Sequence, residues 1–272
     1  MSAATPELVN PGTAGALERI VRTPWMFCTA VLAITVFGLA LDQRVDLAGQ
    51  LALSAATWGF LLAFMVYLSP EERATTVVVI VVATIAEIIG SVIWGVYLYR
   101  LDNLPLFVPA GHGLVYLTGL RLSQTRWLIA RARGLVWAAV IVAGAWAALG
   151  LFVLDRKDVG GAVGAAVLIL FLLRGRAPAT YAGVFFVVAF LELYGTWIGT
   201  WTWQEVIPGT GIPNGNPPSG VASGYVFFDI AALALAPWLL ALARRVRDRV
   251  RGIERAPLPS PQVAASEADG SG

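Results

Sequence analysis

Long apolar runs alternate with short polar breaks along the whole chain. Eight runs stand out, at 24–41, 46–68, 75–98, 104–121, 134–154, 158–173, 179–203 and 220–243. Most reach the length a helix needs to cross roughly 30 Å of hydrocarbon at about 1.5 Å per residue. The runs at 104–121 and 158–173 are among the shortest. The pattern predicts an all-α, polytopic membrane protein with about eight transmembrane helices. It divides the chain into an N-terminal segment (1–23), a first four-helix half (24–121), an Arg-rich loop (122–133), a second four-helix half (134–243) and a tail (244–272). The first run lacks a small-residue cleavage site and reads as a retained helix. The tail beyond residue 256, rich in Pro, Ser and Ala, reads as disordered.

The polar positions inside two of the runs repeat. One copy is Glu87-x-x-Gly90-Ser91-x-Ile93-Trp94-Gly95-x-Tyr97-x-Tyr99, and the other is Glu192-x-x-Gly195-Thr196-x-Ile198-Gly199-x-Trp201-x-Trp203. The second copy is one residue shorter after the isoleucine. Each leads through a loop containing Asn and Pro into a further run. That run carries Gly111-His112-Gly113 in the first half and Ala222-Ser223-Gly224 in the second. The copies lie four runs apart, so the halves are expected to be parallel repeats about an axis along the membrane normal. The i, i+3, i+4 spacing puts each glutamate on one helix face with small residues, which let helices approach closely. Both glutamates should therefore face the bundle interior.

Composition and charge sharpen this picture. Hydrophobic residues make up 58% of the chain and charged residues 13%, about half the charge of a soluble domain. With the N-terminus placed in the cytoplasm, fifteen of the nineteen basic residues fall in inside segments. Only Arg44, Arg100, Arg156 and Lys157 fall outside. This bias predicts that both termini are cytoplasmic. Nearly all the basic residues are arginine, and Ala, Gly and Val are abundant. That association suggests a GC-rich bacterial genome, and hence a bacterial cytoplasmic membrane. The arginines are divided among short loops, which gives no basis for nucleic-acid binding. The single cysteine, Cys28, excludes an intrachain disulfide and a cysteine metal cluster.

Candidate chemistry lies in four ionisable residues inside the runs: Glu87, His112, Glu192 and Asp229. A charged side chain at a helix centre costs about 2.5–3.5 kcal/mol on insertion scales, so such residues mark partners, cavities and function. Counted from the outer ends of their runs, the four fall within about 5 Å of one another in depth. Glu87 and Glu192 are expected to form an acid/base pair, with His112 and Asp229 tuning it or relaying protons. Aromatics crowd the same end. Those at the outer ends, including Tyr99, Trp201 and Trp203, suit an interfacial belt. Trp94, Tyr97, Tyr194, Trp197 and Tyr225 are the candidates for contact with substrate, since aromatic faces stabilise cations. The Gly- and Pro-rich segment 204–220 reads as either a lid or a rigid connector.

Other chemistries are set aside. One histidine cannot build a His-rich di-iron centre, and no DDxxD pair is present for diphosphate chemistry. Gly220-Val221-Ala222-Ser223-Gly224 lacks the spacing of a nucleophile elbow. Glu71-Glu72 reads as a solvated turn. Phosphate-loop and dinucleotide glycine patterns are missing. No cofactor or metal is expected.

The residues Glu87, Gly90, Gly95, Tyr97, Tyr99 and Pro105 form a motif, E-x-x-G followed by G-x-Y-x-Y and a proline-led helix. This motif resembles that of the membrane carotenoid hydratases. The second copy departs from it, with Trp201 and Trp203 in place of the tyrosines. The resemblance implies addition of water to a terminal alkene of a long isoprenoid. The sequence thus points first to acid–base conversion (hydration, isomerisation or cyclisation) of a lipid or isoprenoid. A proton-coupled carrier or lipid-binding component is a second reading, and a structural or assembly subunit a third. The partners expected are membrane lipids and a hydrophobic small molecule.

Overall fold

The computed structural model describes residues 15–123 and 125–250. It is a helical bundle with one small ribbon. The order is α1 (Ala16–Arg22), α2 (Pro24–Asp42), α3 (Leu47–Met65), α4 (Pro70–Glu87), β1 (Tyr97–Tyr99), α5 (Phe107–Ser123), α6 (Arg126–Ile129), α7 (Ala132–Ala148), α8 (Val159–Arg174), α9 (Pro178–Ile198), β2 (Trp201–Trp203) and α10 (Ser223–Val250). π-helical turns extend α4 (Ile88–Ile93) and α7 (Leu149–Val153).

Among the described residues, six helices are long and apolar enough to cross a membrane: α2, α3, α4 with its π turn, α7 with its π turn, α9 and α10. α8 is a shorter apolar helix. α5 has 17 residues. Large apolar side chains are widely exposed, among them Phe37 at 74%, Ile93 at 73% and Phe152 at 78%. Water would oppose so much exposed hydrocarbon, whereas lipid accommodates it. Together these features point to a membrane protein.

Local chemistry explains where the helices begin. Pro24, Pro70 and Pro178 open α2, α4 and α9 with a pre-set φ and no donor to waste. Ser69 and Glu72 form a capping box at the start of α4. Glu72 also pairs with Arg121 at 2.9 Å, tying α4 to the end of α5. The expected solvated turn is thus a cap and a helix tether. Asp46 and Asp158 cap α3 and α8.

Several expected boundaries are corrected. The helices expected over 75–98 and 179–203 stop at Ile93 and Ile198, because Gly95 (φ 70°) and Gly199 (φ 81°) turn the chain in the left-handed region. The Arg-rich loop holds α6. The tail expected from residue 244 is still helix to Val250. The tail expected to be disordered, and residues 1–14 of the N-terminal segment, lie outside the described residues.

α5 runs through the middle, packed on α2, α3, α4 and α9, while α10 lies along α4. One apolar core joins α4, α5, α7, α8, α9 and α10, and a smaller one joins α1, α2, α3 and α5. A third, mostly aromatic, gathers Tyr97, Tyr99, Phe107 and Trp201 beneath the ribbon.

Candidate functional site

The site is built by the repeated motif, and each residue type in it has a physical task. Glu87 lies six residues before Ile93, and Glu192 lies six before Ile198. Past each isoleucine the positive-φ glycine reverses the chain. Val96 N then bonds Gly90 O at 2.8 Å, and Thr200 N bonds Gly195 O at 2.8 Å. The first closure contains one more residue, and the π turn takes it up. After the turn, the Tyr-x-Tyr and Trp-x-Trp segments run extended, so alternate side chains share one face. Gly90 and Gly195 leave room for the returning rings: a Cβ at Gly90 would meet Tyr97, and one at Gly195 would meet Trp201.

The returning aromatics hold the carboxylates. Glu87 Oε2 accepts from the Tyr97 hydroxyl at 2.7 Å and the Tyr99 hydroxyl at 2.8 Å. Glu192 Oε2 accepts from Trp201 Nε1 at 2.9 Å and Trp203 Nε1 at 3.2 Å. The strands pair antiparallel, Tyr97 with Trp203 and Tyr99 with Trp201. The Tyr97 and Trp203 ring centroids lie 4.4 Å apart. Four aromatics expected to include an interfacial belt instead form a ribbon of hydrogen-bond donors. Glycine before a period-two aromatic pair was the signal for it.

Glu87 has a third neighbour. Its Oε1 lies 2.9 Å from His112 Nε2, and His112 Nδ1 lies 2.8 Å from the Tyr225 hydroxyl. With a proton on Nε2 alone, the ring donates to Glu87 and Tyr225 donates to Nδ1. With both nitrogens protonated, Tyr225 accepts. In each case an unbroken chain of hydrogen bonds links β1, α4, α5 and α10. The His112 and Glu87 side chains are 12% and 13% exposed, so little water competes for this pair. Glu192 Oε1, by contrast, has no hydrogen-bond partner among the described residues.

Glu87, His112, Glu192 and Tyr225 all line one cavity of about 500 Å³. Most of its remaining wall is aliphatic or aromatic, from α2, α3, α5, α10 and the ribbon. A large apolar cavity with a few converging polar groups is the usual form of a small-molecule site. Of the other candidates, Trp94 and Tyr97 also line it. Tyr194 does not: its hydroxyl donates to Val36 O at 3.0 Å. Nor does Trp197, which is 81% exposed.

Asp229 does not join the expected layer. The Tyr116 hydroxyl lies 3.4 Å from its Oδ1, and neither residue lines the cavity. Asp229 and Tyr225 are four residues apart on α10, as are Tyr116 and His112 on α5, so the two contacts are rungs about 6 Å apart. Counting from the ends of apolar runs could not resolve one helical turn.

Segment 204–220 is pinned. Asp158 accepts from Gly161 N, Gly215 N and Ser219 N at 3.0, 2.7 and 2.7 Å. Arg156 donates to Asn214 O and Trp203 O, both at 2.7 Å, and Trp94 Nε1 to Pro208 O at 2.9 Å. This favours the rigid connector over the lid. It also fixes the strand that holds Glu192.

Comparison with protein families, with characterised proteins and with solved structures gives no match.

Proposed function

We propose that this chain is an intramembrane enzyme performing acid–base conversion of an unsaturated lipid or isoprenoid. Hydration is the leading reaction, with isomerisation or cyclisation as variants of the same step. The observation that carries the reading is the pairing of Glu87 with His112 at 2.9 Å beside a Glu192 oxygen without a partner, in one apolar cavity.

The Glu87–His112 pair gives a proton to one alkene carbon, the π electrons form the new C–H bond, and the neighbouring carbon becomes cationic. The faces of Tyr97, Trp94 and Trp203 steady that cation. Water attacks it while Glu192 Oε1 takes a water proton. Proton return from Glu192 to the pair closes the cycle. In isomerisation, Glu192 removes a carbon-bound proton instead. The resemblance of the Glu87–Pro105 motif to that of the carotenoid hydratases fits this reaction class.

In this reading, α5 and α8 also cross the bilayer, making eight crossings. The halves descend from a duplicated four-helix unit, both termini face the cytoplasm, and the membrane is the bacterial cytoplasmic one. The matching turns after Ile93 and Ile198 support the duplication.

The test is lipid mass spectrometry of the purified protein with membrane lipid extracts and terminal isoprenoid alkenes. Glu87→Gln and Glu192→Gln should each lower conversion about 10²–10⁴-fold, the usual contribution of general acid–base catalysis. Conversion unchanged by both substitutions would overturn the proposal.

A further inference from the structure

A second cavity of about 240 Å³ lies between α2, α5 and α9. Thr35, Val115 and Leu191 line both cavities, so the two meet along a shared wall. The second chamber carries no carboxylate, imidazole or phenol. Its walls are aliphatic and aromatic, with only Cys28 and two threonines besides. Its far end is marked by Cys28, near the start of α2, and Leu122, near the end of α5. From His112 to Leu122 is ten residues of helix, about 15 Å, the span of a hydrocarbon chain of roughly a dozen carbons. Its wall residues Leu32 and Phe190 are 47% and 42% exposed at the surface of α2 and α9, so the chamber lies just under the side of the bundle.

We propose that this chamber holds the apolar tail of the molecule whose reacting end sits at Glu87, His112 and Glu192. The substrate class is then a single-chain linear lipid, prenyl or acyl, that enters sideways from the bilayer between α2 and α9. This rests on the reading of the first cavity as the reaction site. Three features carry it: the chambers share walls, the carboxylates and the imidazole are confined to one of them, and the wall of the other is exposed on α2 and α9. A tail arriving from lipid gains nothing by leaving water, so close packing against the chamber walls is what favours longer chains until the chamber is full. Thr35 and Val115 stand at the junction, where a larger side chain would shut the tail out.

The experiment is photo-crosslinking of the full chain in nanodiscs. The probes are linear terminal alkenes of about ten and about eighteen carbons, with a diazirine at the far end, and adducts are mapped by mass spectrometry. The long probe should mark residues around Cys28, Leu122 and Phe186. The short probe should mark only the first cavity. Thr35→Phe or Val115→Phe should cut long-probe labelling near Leu122 at least fivefold while leaving short-probe labelling in place. Thr35 is only half-buried and provides the milder substitution should Val115→Phe fail to fold. Adducts of both probes confined to the first cavity would overturn the proposal. So would labelling near Leu122 that neither junction variant lowers, or a chamber filled by phospholipid that the long probe cannot displace. Length-dependent labelling that survives in Glu87→Gln, together with unchanged lipid conversion in that variant, would keep the tail chamber and reject only the acid–base chemistry.

Discussion

The two carboxylate clamps share a backbone and differ in their donors. Glu87 is held by phenols and backed by His112, while Glu192 is held by indoles and has no imidazole behind it. A phenol or imidazole both donates and accepts, so it can pass a proton along. An indole N–H only donates. The first clamp is therefore a continuous chain of groups that can both donate and accept, and the second is fastened by one oxygen with the other free. Where the first half has His112, the second has Ser223, which makes no side-chain hydrogen bond among the described residues. One local architecture carries two different sets of donors, on turns that differ by a single residue.

The largest effect should come from unwiring the first clamp. His112→Phe keeps an aromatic ring in place without either nitrogen, and should lower lipid conversion by about 10²–10³-fold. A drop of less than tenfold would show that Glu87 works without its imidazole. Next comes the packing of the second clamp. Gly195→Ala puts a Cβ into the Trp201 ring and should destabilise by about 1–3 kcal/mol. Gly90→Ala meets the outer end of the Tyr97 ring and should cost less. Thermal unfolding in detergent would rank them, and the reverse order would break the comparison.

Donor loss should follow. Tyr99→Phe deletes a 2.8 Å bond to Glu87 and Trp203→Phe a 3.2 Å bond to Glu192. Bonds to charged groups contribute about 1.5–3 kcal/mol, and the longer one should lie at the low end. Paired denaturation curves would test that order. The smallest effect belongs to Ser223→Ala, expected within about 0.5 kcal/mol of the parent protein and with unchanged conversion. A large loss of conversion there would mean that the second clamp has a relay of its own.

Much was readable along the chain because membrane helices state their length and hydropathy locally. The helical class and the positions of the apolar helices followed from runs of side chains whose cost in lipid is set residue by residue. So did the choice of Glu87, His112 and Glu192 as candidates, since hydrocarbon makes each of them expensive wherever the chain goes. The repeated Glu-x-x-Gly and glycine–aromatic spacing was equally visible, but its meaning was not. That Tyr97, Tyr99, Trp201 and Trp203 return to the carboxylates depends on two left-handed glycines and on a strand pairing between residues about a hundred positions apart. That Asp229 belongs to Tyr116, and that Tyr225 completes the His112 chain, depends on how α10 is rotated against α5. Rotation, reversal and pairing are settled by packing among several helices at once, and no single stretch of sequence contains that information.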